Sequence, residues 1–191
     1  MKSIVDLTYV EYPSEDGIFG FAVSLVSLTP IALFVGLFSI AVNNRDLRYA
    51  LLALGLLLST IANEIAKKII KQDRPALSHK KGYGMPSDHS QFMMFWLISI
   101  IVYFRAHPVL RRWFYISLSI SNAILTASVM YSRYYLGVHS LEQIFVGSLS
   151  GLILGYTWTH LIIRAELTPA FRAAQTAIDR SWRNNFTNKI V

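Results

Sequence analysis

The chain has 191 residues, of which 53% are hydrophobic, with a mean hydropathy of +0.41, a formal net charge of +7 and no cysteine. The lack of cysteine excludes disulfide bonds, thiolate nucleophiles and thiolate metal sites. The lysines and arginines stand mostly at the ends of apolar runs, which favours a membrane protein over a nucleic-acid-binding protein. The length and the absence of repeats predict a single integral-membrane domain over residues 1–191.

Five apolar runs predict five transmembrane helices, so the expected fold is an all-α polytopic membrane helix bundle with short interfacial helices. The runs cover about residues 18–42, 49–70, 91–104, 114–131 and 141–163. Pro30 lies inside the first run, where its ring and its missing N–H predict either a tolerated kink or a division into two segments. Of these two outcomes we expect the kink.

Hairpin connections between the helices divide the polar segments into two groups. One group is rich in arginine and is therefore expected on the cytoplasmic side; it comprises the turns at 43–48 and 105–112 and the tail at 165–191. The other group is then lumenal and comprises the N-terminus at 1–17, the stretch at 67–89 and the turn at 133–139.

The C-terminal tail has the start signal and the periodicity of a helix. Thr168 and Pro169 open it, and the apolar residues Phe171, Ile178 and Trp182 fall on one face. The pattern predicts an amphipathic helix in the lipid headgroup layer, with a plain soluble tail as the alternative.

Cations and histidine are concentrated at one predicted membrane edge. Lys67 and Arg74 stand seven residues apart, which on one helix would be two turns and nearly the same face. Arg133 and His139 recur at a second edge, and a hairpin of helices would bring them beside the first pair. We expect such a cluster to hold an anion.

Phosphoryl transfer needs fixed cations, a nucleophile and a proton donor, and these residues supply each part. Lys67, Arg74 and Arg133 are the cations, while Ser87 and the free amides of the helix that follows it can donate to phosphate oxygens. A neutral imidazole is a competent nucleophile. Gln143 lies one turn after His139, so its amide oxygen is placed to accept the Nδ1 proton and leave Nε2 free to attack.

Each of these residues alone is more often structural than catalytic, because interfacial cations snorkel and histidines cap helix ends. Glu64, for example, is explained by an (i, i+4) pair with Lys68. The joint occurrence of the cations, the serine and the histidine at one membrane edge favours a phosphate-binding site. The other histidines, at 79, 107 and 160, are scattered, so we predict no metal and no cofactor.

The spacing of these residues resembles the three-part signature of the type 2 phosphatidic acid phosphatase (PAP2) superfamily. The parts are Lys67 with six residues before Arg74-Pro75, then Pro86-Ser87-x-His89, then Ser132-Arg133 with five residues before His139. The resemblance implies a metal-independent phosphatase with His139 as the nucleophile that forms a phosphohistidine and His89 as the acid. It also implies phosphate ligands at Lys67, Arg74, Ser87 and Arg133.

Two positions depart from the common family pattern. Asp88 stands where glycine is usual, and its charge should repel a phosphate unless the side chain points away. Gln143 stands where aspartate is usual, and an amide can orient an imidazole but cannot compensate an imidazolium charge.

Glutamine at position 143 and the segment GYGMPSDHSQFMMFW are similar to the dolichyl diphosphate phosphatases of the endoplasmic reticulum. That resemblance implies hydrolysis of dolichyl diphosphate to dolichyl phosphate and phosphate on the lumenal side, which recycles the carrier lipid for protein N-glycosylation. The expected partners are this polyprenyl lipid and the bilayer, with no nucleic acid. Phosphatidate, a sphingoid-base phosphate or a shorter polyprenyl diphosphate remain alternative substrates, and a catalytically silent lipid-phosphate binder or transporter remains an alternative function.

Overall fold

The protein is described by a computed structural model that covers residues 2–5, 10–13, 16–76, 78, 80–108 and 111–187, with side chains from 16 to 182. Within these described residues, seven helices carry the fold and a short β-hairpin precedes them. The elements are β1 Lys2–Val5, β2 Val10–Pro13, α1 Gly17–Val26, α2 Thr29–Asn44, α3 Leu47–Ile70, α4 Asp88–Ala106, α5 Arg112–Tyr135, α6 Leu141–Glu166 and α7 Pro169–Thr187. The helical architecture confirms the predicted fold class.

The antiparallel hairpin was not predicted from the sequence. Its two strands pair in register from Lys2 opposite Pro13 to Val5 opposite Val10. Each strand has only four residues. A strand this short shows too little alternation to stand out in a sequence pattern.

The first apolar run is divided into two helices rather than kinked. Ser27 and Leu28 form the turn between α1 and α2, and Pro30 lies in the first turn of α2. Pro30 has no N–H to donate to the preceding turn, and the Val26 carbonyl instead accepts from the Thr29 hydroxyl at 2.7 Å. The division places an irregular backbone segment next to the first turn of α4.

Four helical segments are long and apolar enough to cross a membrane: Gly17–Asn44, Leu47–Ile70, Arg112–Tyr135 and Leu141–Glu166. The fifth predicted span, α4, is not among them because its first turn, DHSQ, is polar. That turn carries residues of the candidate site, and the rest of α4 packs inside the bundle, where Met93 and Phe95 are buried. The low hydropathy of α4 therefore originates in its polar first turn.

The close packing of α4 on α6 depends on three glycines spaced four residues apart. A Cβ atom at Gly147 would collide with the Ser87 carbonyl oxygen, and one at Gly151 would collide with the Gln91 carbonyl oxygen. At Gly155 it would meet the backbone of Phe95. Small residues at this spacing let two membrane helices approach backbone to backbone. The approach brings the start of α4 onto the start of α6.

The end of the bundle that lies away from the first turn of α4 is called the opposite end. It is formed by residues 43–48, 103–107 and 164–182. Gln175 of α7 bridges the α2–α3 turn: its Oε1 accepts from Leu47 N and its Nε2 donates to Arg45 O, both at 2.9 Å. The Arg45 guanidinium lies 3.2 Å from the centre of the Trp182 ring, and His107 lies 3.0 Å from Glu166. These contacts confirm that the three segments predicted to share one side do so.

The tail is helical, as predicted, and its apolar face is turned partly toward the bundle. Phe171 and Ile178 are half-buried, whereas Arg172 and Arg180 are exposed. Its position relative to a lipid headgroup layer stays a prediction.

Candidate active site

The other end of the bundle, which we call the site end, is formed by residues 67–89 and 133–143. Here α5 runs on to Tyr135, so Arg133 lies in its last helical turn rather than in the connecting turn that the sequence suggested. Gly137 follows with a φ of 65°, a left-handed conformation that glycine adopts without strain. The chain then folds back, and the backbone N–H groups of Val138 and His139 donate to the Arg133 carbonyl at 3.2 and 3.3 Å.

His139 stands immediately before α6, where a capping box fixes its surroundings. Ser140 is the N-cap and Gln143 is the third helical residue, and each side chain bonds the backbone N–H of the other. The Gln143 Oε1 also lies 3.1 Å from His139 Nδ1, which is the contact predicted from the four-residue spacing. The side chains of both residues are buried.

The tautomer of His139 follows from its two neighbours. Arg74 Nη1 lies 3.1 Å from His139 Nε2, and a guanidinium can only donate. Nε2 is therefore the acceptor, so Nδ1 carries the proton and donates it to Gln143 Oε1. The nitrogen that faces the cations is the one with the free electron pair.

The charge of His139 is set by burial and by cations. Burial, followed by the positive charges of Arg74 and Arg133, lowers its pKa from 6.5 to about 3, and the bond to Gln143 opposes this shift. Both effects disfavour a second positive charge in a desolvated, positive environment. The imidazole is neutral at pH 7.

Arg74 reaches the site from a loop, not from the face of α3 on which its spacing from Lys67 had suggested it would lie. The helix ends at Ile70, and Lys71 has a φ of 54° that turns the chain away. Arg74 Nη1 also donates to the Val138 carbonyl at 3.0 Å, while its buried Nε has no hydrogen-bond partner. Burial lowers the pKa of the guanidinium, and Glu64 acts in the other direction.

Lys67 occupies the last turn of α3 and its side chain is largely buried. Its Nζ lies 2.5 Å from Glu64 Oε1, so Glu64 pairs with Lys67 and not with Lys68 as the spacing suggested. Residues three and four apart share a helix face, and Lys67 lies on the buried side of α3 whereas Lys68 is exposed.

Arg133 is buried, with 2% of its surface exposed, and its Nε has no hydrogen-bond partner. Among the side chains that the structure describes, no carboxylate forms an ion pair with Arg133 or Arg74. A buried guanidinium group and a half-buried one, neither paired with a carboxylate, are costly, and an anion bound between the helices would offset that cost.

Ser87 begins α4 and is fully buried. Its backbone N–H donates to the Gln143 carbonyl at 3.0 Å, which fixes the start of α4 against the start of α6. Its hydroxyl accepts from the Ser90 hydroxyl at 3.1 Å and caps no backbone amide of α4. The first amides of a helix lack intrahelical partners, so this N-terminus can donate to an anion.

Asp88 and His89 follow Ser87 in the first turn of α4, and both are half-buried. Burial raises the pKa of the Asp88 carboxylate, and the positive charges of Lys67 and Arg133 act in the other direction. Burial, followed by the positive charge of Arg133, lowers the pKa of the His89 imidazole, and the backbone of Ser27, at the α1–α2 break, acts in the other direction.

A fourth cation lies in the same positive field. Lys80 is exposed, yet partial desolvation and repulsion by Arg133, Arg74 and Lys67 lower its pKa. His79 lies outside the described residues. In the part of the chain that the structure describes, no group of three or more histidines, aspartates and glutamates could hold a metal ion.

No sequence pattern indicated the contacts that hold Gln143 from the loop before α4. Its Nε2 donates to Gln72 Oε1 at 3.1 Å and to the Asp73 carbonyl at 2.8 Å. Gly84 N donates to the Gln72 carbonyl at 2.8 Å, and a Cβ atom at Gly84 would collide with the Gln143 amide. These are contacts across about 70 residues of chain, which no local pattern encodes.

Comparison with known proteins gives concordant results. The sequence profile of the PAP2 superfamily matches residues 48–166. Dolichyldiphosphatase 1 of Dictyostelium discoideum is 35% identical over 172 residues, which cover 84% of this chain and 72% of that protein. Lipid phosphate phosphatase gamma of Arabidopsis thaliana is 32% identical over 192 residues, which cover 93% and 81%.

A solved structure supports the fold. The transmembrane PAP2-type phosphatidylglycerolphosphate phosphatase from Bacillus subtilis superposes with a TM-score of 0.66 over 80% of each chain, at 18% sequence identity. The family match spans the described site from α3 to α6, and the resemblance inferred from the three motifs is confirmed. This chain is therefore a multi-pass membrane phosphatase that belongs to the PAP2 superfamily.

Proposed function

We propose that the protein hydrolyses dolichyl diphosphate to dolichyl phosphate and inorganic phosphate through a phosphohistidine intermediate on His139. The observation that carries the proposal is the neutral, buried imidazole whose unprotonated Nε2 faces the Arg74 guanidinium. The substrate is inferred from the relatives, among which the proteins of Dictyostelium discoideum, Mus musculus and Saccharomyces cerevisiae are dolichyldiphosphatases.

In the first step His139 Nε2 attacks the terminal phosphorus. An N–P bond forms, and the bond between that phosphorus and the bridging oxygen breaks. Dolichyl phosphate leaves with a proton donated by the His89 imidazolium, which the negative charge of the bound diphosphate stabilises against the burial that lowers its pKa. In the second step water attacks the phosphohistidine while His89 accepts its proton. The N–P bond breaks, phosphate is released, and both histidines return to their starting state.

The cations hold the transferred group during both steps. Arg74 covers Nε2 in the resting site, so an incoming phosphate oxygen takes over the Arg74 donor and uncovers the electron pair. Arg133 and Lys67 offset the charge that develops on the equatorial oxygens, and Ser87 with the amides of α4 donates to the same oxygens. Because lysine and arginine supply the positive charge, we expect full activity in the presence of a chelator.

We further propose that the enzyme resides in the endoplasmic reticulum membrane with the site end facing the lumen. The arginine-rich opposite end then faces the cytoplasm, in line with the positive-inside tendency. In this location the reaction recycles the carrier lipid used in protein N-glycosylation.

The test is phosphate release from dolichyl diphosphate by detergent-solubilised protein. His139→Ala should abolish release while the thermal unfolding profile shows an intact fold, and wild-type protein quenched during turnover should carry an acid-labile phosphate that the variant lacks. His160→Ala is the control, because His160 is a half-buried histidine elsewhere on α6. Undiminished turnover by the His139 variant would refute the mechanism.

A second candidate is the same chemistry on another lipid phosphate. It is favoured by the Arabidopsis thaliana lipid phosphate phosphatase, whose match covers 93% of this chain. Competition among dolichyl diphosphate, a shorter polyprenyl diphosphate, phosphatidate and a sphingoid-base phosphate separates the candidates. Preference for either monophosphate would refute the proposed substrate, and binding without any turnover would indicate a silent lipid-phosphate binder.

A further inference from the structure

We propose that Gln72 and Glu142 are positioning residues that fix the orientation of the Gln143 amide, and through it the tautomer of His139, so that Nε2 stays unprotonated for attack. The inference rests on the proposed role of His139 as nucleophile. It adds two residues that the signature motifs do not contain.

The three side chains form a continuous hydrogen-bonded relay that ends on the imidazole. Glu142 Oε2 accepts from Gln72 Nε2 at 3.4 Å, and Gln72 Oε1 accepts from Gln143 Nε2 at 3.1 Å. Gln143 Oε1 in turn accepts from His139 Nδ1 at 3.1 Å. In each of the three bonds the donor is on the residue nearer to His139, so the bonds lead in one direction from the imidazole to the Glu142 carboxylate.

The orientation of the Gln143 amide matters because its oxygen and nitrogen have nearly the same shape but opposite hydrogen-bonding roles. If the NH₂ group faced His139, Nδ1 would have to accept and Nε2 would carry the proton. A protonated Nε2 has no electron pair to attack phosphorus, and its N–H would point at the Arg74 guanidinium, 3.1 Å away.

Four groups around Gln143 select the productive orientation. On the nitrogen side are two acceptors, Gln72 Oε1 and the Asp73 carbonyl. On the oxygen side are two donors, His139 Nδ1 and the Ser140 N–H at 3.3 Å. The backbone groups of Asp73 and Ser140 cannot be removed by substitution, and His139 is the residue being positioned, so Gln72 is the member of this set whose contribution a variant can test.

The Gln72 amide can likewise adopt two orientations, and Glu142 selects one of them. An ionised carboxylate only accepts, so it retains the Gln72 NH₂ group and leaves the Gln72 oxygen for Gln143. The backbone of Gln72 is held by the bond from Gly84 N to its carbonyl at 2.8 Å. Since Glu142 is exposed and its contact is long, we expect its contribution to be smaller than that of Gln72.

The relay also bears on the departure of Gln143 from the aspartate usual in the family. Hydrogen bonds in series polarise one another, so positive charge that develops on His139 is felt by the carboxylate two amides away.

The experiment compares Gln72→Met, Gln72→Glu and Gln175→Met in the full-length protein. Gln175 is the matched control, because it is a half-buried glutamine whose side-chain oxygen and nitrogen are both hydrogen-bonded, but to backbone groups at the opposite end. The two readouts are kcat and KM for phosphate release from dolichyl diphosphate, and the His139 ¹⁵N chemical shifts, assigned with His139→Ala, which distinguish an Nδ1–H from an Nε2–H imidazole.

We expect Gln72→Met to lower kcat by roughly ten- to hundredfold, as for loss of a group that orients a functional histidine, with KM unchanged and a new Nε2–H population. Gln72→Glu keeps an acceptor and should restore the Nδ1–H tautomer, and Gln175→Met should change neither readout. An unchanged tautomer in Gln72→Met would overturn the relay. So would a fall in kcat that Gln175→Met reproduces. The tautomer is measured without turnover, so it tests the relay even if His139→Ala proves that another residue is the nucleophile.

Discussion

The two ends of the bundle are both rich in basic residues, yet their arginines differ in solvent exposure and in hydrogen-bond partners. At the opposite end Arg48 is half-exposed and paired with Asp46 at 2.5 Å, and Arg45 lies over the Trp182 ring. At the site end Arg74 and Arg133 are withdrawn from solvent, and the Nε of each has no hydrogen-bond partner. The paired arginines serve the connections between helices. In the proposed mechanism the unpaired ones bind the phosphate group of the substrate.

The glutamines that join helices also differ between the two ends. Gln175 bonds backbone groups of one turn and a side chain of its own helix, and so acts as a clamp. Gln143 bonds a histidine and a second glutamine, and so acts on the ionisation and tautomer of the site. Similar side chains therefore have different roles according to the groups they contact, which mutations can separate.

The largest difference should appear when one arginine from each end is replaced. Arg133→Met should lower phosphate release by about 10³-fold, the loss typical of a preorganised charge in a transition state. Its melting temperature should be equal to or above that of wild type, because an uncompensated buried charge is removed. Thermal unfolding and kcat measured on the same preparation provide the check.

Arg48→Met is the matched variant at the opposite end. It should retain turnover and lose at most about 1 kcal/mol of stability, as expected for an exposed ion pair. Equal losses of turnover in the two variants would show that the two ends do not divide function from structure.

A second difference concerns how tightly the site end is packed. Gly147→Ala places a methyl group against the Ser87 carbonyl oxygen, a backbone atom that cannot rotate away. We expect a loss of about 1–3 kcal/mol in the free energy of unfolding, together with reduced kcat because the start of α4 is displaced from α6.

Gly36→Ala is the control for this replacement, since no atom lies within 4 Å of the Cβ position there. Alanine is the better helix former, so stability should be unchanged or slightly raised, with normal turnover. Denaturation in detergent and phosphate release measure both variants. A stable and active Gly147 variant would contradict the close contact of α4 and α6.

The smallest expected effect is a pH dependence that originates at the site end. The pKa of His139 is lowered from 6.5 to about 3, so between these values the unfolded chain binds a proton that the folded chain does not. The free energy of unfolding therefore falls as the pH decreases from 6.5 toward 3, and this group contributes no further change above that window. Melting temperatures of wild type and His139→Gln at pH 7 and pH 5 measure the effect.

The wild-type protein should lose more stability than His139→Gln on acidification. Inorganic phosphate should reduce the loss in wild type, because a bound anion offsets Arg74 and Arg133. Parallel pH dependences in the two proteins would show that His139 does not resist protonation in the folded state.

The sequence could predict much of this molecule wherever the relevant interaction is local. Apolar runs indicated the helices, and a four-residue spacing indicated the contact between His139 and Gln143. Local rules failed where a competing interaction was tertiary. Glu64 pairs with the buried Lys67, and Arg74 leaves the helix axis because the chain turns at Lys71.

By itself the sequence determined the helical membrane fold, the positions of the motif residues and the family, because hydrophobic periodicity and motif spacing are properties of the chain. The tertiary structure alone decided which atoms meet at the site. Arg74 faces Nε2, Gln72 and the Asp73 carbonyl hold the Gln143 amide, and three glycines of α6 admit the start of α4. These contacts join residues far apart in the chain, and their geometry depends on how closely whole helices pack.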